Sequence, residues 1–64
     1  MNGTIRTLHK DKGYGFITGT DKKDYFFHHS ALKNVSFDDL EPGREVEFED
    51  AESGRGLRAE DIYV

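Results

Sequence analysis

Hydrophobic residues along this 64-residue chain fall into five short runs of strand character, separated by polar stretches rich in Gly, Asp, Lys and Ser. The first three are Thr4 to His9 (TIRTLH), Gly13 to Thr18 (GYGFIT) and Asp24 to His29 (DYFFHH). Their connections are too short for a parallel crossover, so they predict an antiparallel meander. Arg44 to Glu49 (REVEFE) alternates cleanly, with Val46 and Phe48 inward and Glu45, Glu47 and Glu49 outward. Leu57 to Tyr63 supplies Ala59 and Ile62 to the core after DAESGRG, which reads as a flexible connection.

Between the third and fourth runs lies a longer stretch, SALKNVSFDDLEPG, ending in the turn signal Pro42-Gly43. Ser30 is placed to cap one helical turn over Ala31 to Asn34, and nothing supports a substantial helix. The expected fold is all-β: residues 1 to 64 as a single domain, a small five-stranded antiparallel Greek-key barrel of the OB type. A five-stranded SH3-like barrel has similar composition and is the structural alternative.

The alternation raises a question at residues 12 to 17, KGYGFI. In a strand, Tyr14 and Phe16 share one face while Gly13, Gly15 and Ile17 take the other. Ile17 belongs in the core, and glycine sits in a strand where the chain bends or another group approaches closely. The two aromatics then face outward. In DYFFHH the same rule separates Tyr25 and Phe27 from Phe26 and His28, and so small a barrel cannot bury both sets. With Tyr25 and Phe27 inward, Phe26 and His28 join Tyr14 and Phe16 in an aromatic platform. Arg6, Lys10 and Lys12 stand at its edge, with His29 and Phe37 close by.

Charge changes the picture of what that platform meets. The net charge is −4, but residues 1 to 33 carry six Lys or Arg against three acids, and residues 34 to 64 carry three Arg against ten acids. A mildly basic half bearing exposed rings suits single-stranded nucleic acid: bases stack on the rings at about 1–3 kcal/mol each, and cations track the phosphates. The acidic half reads as a solvated surface.

The same residues carry a family resemblance. KGYGFI matches the first ribonucleoprotein motif of the bacterial cold shock proteins, usually KGFGFI, and DYFFHHS lines up with the second, usually DVFVHFS. GTIRTLHKDKG follows the family's GTVKWFNxxKG, Ser30-Ala31-Leu32 its SAI, and PGREVEFE its EGQxVxFE. The chain thus resembles the cold-shock domain family of OB-fold single-strand binders end to end. Motif order separates it from the RNA-recognition motif, in which the second motif precedes the first and two helices are needed.

The resemblance implies stacking by Tyr14, Phe16, Phe26, His28 and Phe37, phosphate or base-edge contacts by Arg6 and Lys12, and a hydrogen bond from a base edge to Asp24. It also implies an RNA-chaperone or regulatory role in transcription or translation, and pyrimidine-rich RNA or DNA as partner. The chain departs from the pattern at four positions. Thr7 stands for tryptophan, Leu8 for phenylalanine, His9 for asparagine and His29 for phenylalanine, so binding weaker than is usual for the family is expected.

Other chemistries are poorly served. His28 and His29 are adjacent, and neighbours on a strand face opposite sides unless the strand is ending, so no metal site and no cofactor is expected. A histidine titrating near ~6.5 would instead strengthen phosphate binding at mildly acid pH. Acids on strand faces or loops are usually solvated, no G-x-S-x-G, P-loop or dinucleotide fingerprint occurs, and no catalytic residue is assigned. The absence of cysteine removes disulfides and thiolate sites and fits a reducing compartment. With no apolar run near the roughly 20 residues of a membrane span and no signal-peptide core, a cytoplasmic monomer is expected. The functional alternative is a protein-interaction module with weak or lost nucleic-acid binding, consistent with the acidic net charge.

Overall fold

A computed structural model describes residues 1–54 and 56–64 of the chain. Five strands follow in order: β1 (Asn2–His9), β2 (Tyr14–Gly19), β3 (Asp24–His28), β4 (Glu45–Ser53) and β5 (Gly56–Tyr63). They close into a barrel in the order β1-β2-β3-β5-β4. β1, β2 and β3 form the antiparallel meander, while β4 pairs antiparallel with both β1 and β5. A ring of five strands cannot alternate direction all the way round, and the one parallel seam falls between β3 and β5 at Phe26 and Arg58. An isolated parallel bridge from Leu32 to Ile62 continues that seam.

Among the described residues nine side chains fill the interior: Ile5, Ile17, Tyr25, Phe27, Leu40, Val46, Phe48, Ala59 and Ile62. Each large one contributes about 1.5–3 kcal/mol on burial, and together they offset the chain entropy of a small domain. Val46 and Phe48 point inward and the glutamates between them outward, as the alternation requires. Ala59 and Ile62 are three residues apart, so strict alternation would send them to opposite faces. The ladder slips between Glu47 and Glu49 of β4, and Asp61 adopts φ +49 in the left-handed region. That bulge returns Ile62 to the core, in a conformation that aspartate tolerates better than most residues. A second slip between Ile5 and Thr7 leaves Arg6 as the extra residue of β1.

Three local expectations need correction. Residues 50–53 of the supposed flexible connection extend β4, with Asp50, Ala51, Glu52 and Ser53 opposite Ala59, Arg58, Leu57 and Gly56. Ladder hydrogen bonds hold this extension, with Ala59 buried in the core and Leu57 packed against it, although the composition is polar. Arg55, also in that stretch, lies outside the described residues. Ser30 does not cap a turn over Ala31 to Asn34. A short 3-10 turn spans His29–Ala31 with His28 as its cap, the imidazole accepting from the Ser30 N–H. β3 therefore ends at His28, one residue earlier than expected. A second 3-10 turn, Phe37–Asp39, leads into the buried Leu40.

Candidate nucleic-acid interface

The register of the meander arranges nine outward positions as a grid. β2 contributes Tyr14, Phe16 and Thr18. Opposite them β1 places His9, Thr7 and Thr4, and β3 places His28, Phe26 and Asp24. The rows are thus His9–Tyr14–His28, then Thr7–Phe16–Phe26, then Thr4–Thr18–Asp24. The reason is local: Gly15, Ile17 and Gly19 of β2 and Tyr25 and Phe27 of β3 are buried, so the residues between them must face out.

Three rings form the centre. Tyr14 lies 5.4 Å from Phe26, tilted by 37°, and Phe16 meets Phe26 edge-on at 5.9 Å and Tyr14 edge-on at 6.2 Å. These are ordinary aromatic pair distances, and all three rings stay partly exposed. Neither strand can bury them without emptying the core.

The register also adds a member that the sequence reading left out. His9 stacks on Tyr14, with ring centroids 4.6 Å apart and planes 27° apart. The available signal was the polar connection KDKG: both Lys12 and Gly13 donate backbone N–H bonds to the His9 carbonyl, a tight turn that sets His9 directly opposite Tyr14. Gly13 serves this turn with φ +78, where a side chain would be strained and would also strike the His29 ring.

Histidines 28 and 29 come to the same side because β3 ends between them, and their rings lie 4.2 Å apart. His28 Nδ1 accepts from the Ser30 N–H at 3.2 Å and lies 2.9 Å from Ser30 Oγ. In the neutral ring Nε2 then carries the proton and points away from this contact. His29 is exposed and lies 6.2 Å from Phe37. Phe37 is divided in its loyalty: it packs edge-on against buried Phe27 at 6.3 Å and is only partly exposed. Among the described residues, no three His, Cys, Asp or Glu side chains are grouped to hold a metal ion.

The cations are distributed unevenly. Arg6 spans β2 to pair with Asp24, whose other oxygen accepts from Thr18 Oγ1 at 2.9 Å. Lys10 Nζ donates to the carbonyl of Asp38 at 3.0 Å, bridging the β1–β2 turn to the Phe37–Asp39 turn. Lys12 is exposed beside the Tyr14 end of the grid. Of the ten expected site residues, Arg6, Tyr14, Phe16, Asp24, Phe26 and His28 share one face. Lys10, Lys12, His29 and Phe37 form its border along a groove that they line together with Gly13 and Asp38.

Comparison with known proteins agrees with this architecture. The 'Cold-shock' DNA-binding domain family matches residues 1–64. Cold shock protein 1 of Lactiplantibacillus plantarum is 51% identical over 45 residues, covering 70% of this chain and 68% of that protein. A cold shock-like protein of Aquifex aeolicus is 41% identical over 65 residues, covering all of this chain and 93% of its own length. Among solved structures, drosophila Unr CSD456 superposes with a TM-score of 0.75 at 27% identity, over 95% of this chain and 24% of that one. With the family matched over the whole chain and the closed all-β barrel in place, this chain belongs to the cold-shock domain family.

Proposed function

We propose that the chain binds single-stranded RNA and DNA by stacking successive bases on Tyr14, Phe16, Phe26 and His28, with His9 extending the row at the β1 edge. The observation that carries this reading is the contiguous, partly exposed set of rings on strands whose inward positions are already filled. Every base has a π face, so such a surface holds unpaired strands with little regard to sequence. Lys12, Lys10 and His29 flank the path of the backbone, and Phe37 offers a ring at its far border. Holding strands unpaired opposes secondary structure, which is the action of an RNA chaperone or a regulator of transcription and translation.

The chain acts in this reading as a monomeric binder in the cytoplasm, on pyrimidine-rich strands, by association and not by catalysis. No helix among the described residues is long and apolar enough to cross a membrane. An NMR titration with a short thymine- or uracil-rich oligonucleotide tests the proposal. Shifts centred on Tyr14, Phe16, Phe26 and His28 that reverse with added salt are expected. An unmoved spectrum at millimolar oligonucleotide would instead favour a barrel that docks proteins.

A further inference from the structure

Round the barrel from the rings, β4 lies between β1 and β5. Its outward residues Glu45, Glu47 and Glu49 alternate with the buried Val46 and Phe48, so three carboxylates share one face. The register sets Thr4 opposite Glu45 and places Asn2 and Tyr63 on either side of Glu47. Glu60 faces Glu49, a like-charge pair across the ladder that costs stability as it stands. Among the described residues, none of these four carboxylates takes part in an ion pair. Tyr63 is left 48% exposed, and a recess of about 460 Å³ opens beside it, with Asn2, Thr4, Glu45 and Glu47 in its walls.

We propose that this face docks an extended segment of a partner protein that carries arginine at alternate positions. Charge complementarity in register selects that occupant. Same-face residues of a strand stand about 6.5 Å apart, which is the spacing of the β4 carboxylates and equally of alternate side chains in an extended peptide laid along them. β4 is already paired on both edges, with β1 and with β5, so the segment cannot join the sheet as a further strand. Recognition is therefore by side chains.

The recess is where arginine is told from any other cation. A guanidinium seated there lies flat against the Tyr63 ring while its N–H fork donates to the Glu47 carboxylate beside it. Lysine brings the same charge without a planar face or a fork, and so gains less from the ring. Phosphate is repelled by this wall, which keeps a nucleic-acid strand and the peptide on different faces of the barrel. One chain could then carry a single strand on β1 to β3 and a basic protein on β4. The docking face stands on its own residues, whether or not the rings bind nucleic acid.

A labelled Gly/Ser peptide with three arginines at alternate positions, titrated by fluorescence anisotropy and by NMR of the protein, tests the assignment. Shifts should centre on Glu45, Glu47 and Tyr63 and leave Tyr14, Phe16 and Phe26 unmoved. Tyr63→Ala and Glu47→Gln should each weaken binding by about 2- to 5-fold, the range for one exposed cation–π contact or ion pair. Asp39→Asn removes the same charge from the Phe37–Asp39 turn and should leave the affinity unchanged. The peptide with lysine in place of arginine should bind more weakly. An equal loss in Asp39→Asn, or equal affinity for the lysine peptide, would mean that only net charge is read and would overturn the site. An unmoved spectrum at millimolar peptide would overturn it as well.

Discussion

The ring of Phe27 occupies the space that a side chain at Gly15 would take: a Cβ built there would stand 2.9 Å from Phe27 Cε1 and 2.5 Å from the carbonyl oxygen of Thr7. The two residues are direct partners across β2 and β3, and Phe27 is wholly buried. Gly15→Ala should therefore lower stability by about 1–3 kcal/mol through overpacking. Phe27→Leu in the same chain should recover part of the loss. Urea denaturation of the two variants checks this, and an unchanged midpoint for Gly15→Ala alone would refute the close approach.

Stacking and packing separate cleanly along β2 and β3. Phe16→Ala or Phe26→Ala should weaken oligonucleotide binding by about 1–3 kcal/mol while the fold persists. Ile17→Ala should cost about 2–5 kcal/mol of stability, a large share of the roughly 3–10 kcal/mol available to a chain of this size. Parallel thermal melts and binding isotherms distinguish the two classes. Equal loss of stability in all three variants would mean that the outer rings are core.

A hydrogen bond ties the β2–β3 turn to the core. The Tyr25 hydroxyl donates to Asp21 Oδ2 at 2.5 Å, and Asp21 Oδ1 accepts from the Lys23 N–H at 3.1 Å. The Tyr25 hydroxyl, more than the Lys23 backbone N–H, holds the Asp21 carboxyl below its ordinary value of 3.8. The same bond first, and burial second, push the Tyr25 hydroxyl up to about 12. A depressed carboxyl stabilises the fold above its unfolded value and loses that contribution as pH falls through the folded one. A raised phenol contributes fully below its ordinary 10.0 and loses it as pH climbs toward about 12. Tyr25→Phe should flatten both limbs of a plot of melting temperature against pH, and parallel curves for the two proteins would sink the assignment.

His9 gives the platform a further ring at the β1 edge. It stacks on Tyr14, with Lys10, Asp11 and Lys12 in the turn beside it. Removing that ring in His9→Ala should weaken oligonucleotide binding by about 1–3 kcal/mol, and an unchanged isotherm would show that no base stacks there. Because Arg6 is paired with Asp24 and Lys10 with a carbonyl, the salt dependence should be shallow, about −0.7 in log-log slope for each phosphate met. A steep slope would mean that Arg6 and Lys10 leave those partners to meet phosphates.

Thr7→Trp places a large ring in a recess of about 270 Å³ lined by Arg6, Thr7, Phe16 and Asp24. Affinity for thymine-rich strands should rise by about 1–3 kcal/mol for the added stacking surface. Equilibrium binding of hexathymidylate reads the effect, and unchanged affinity would show that no base stacks at this position.

Much of this was legible in the residues. Period-two alternation separates Ile17, Tyr25 and Phe27 from Tyr14, Phe16 and Phe26, and the interleaved glutamates orient β4, because a strand has only two faces and one must be dry. The motifs KGYGFI and DYFFHHS then point to the family before any coordinates. Alternation is a local rule, however, and three features escape it. The bulges at Arg6 and Asp61 shift the phase within a strand, and only pairing across the barrel reveals that Ala59 and Ile62 share an interior. The stacking of His9 on Tyr14 depends on how tightly a polar turn closes. The Arg6–Asp24 pair joins β1 to β3 across an intervening strand, 18 residues apart in sequence. Such a contact is set by register and side-chain reach in three dimensions, which no pattern along the chain encodes.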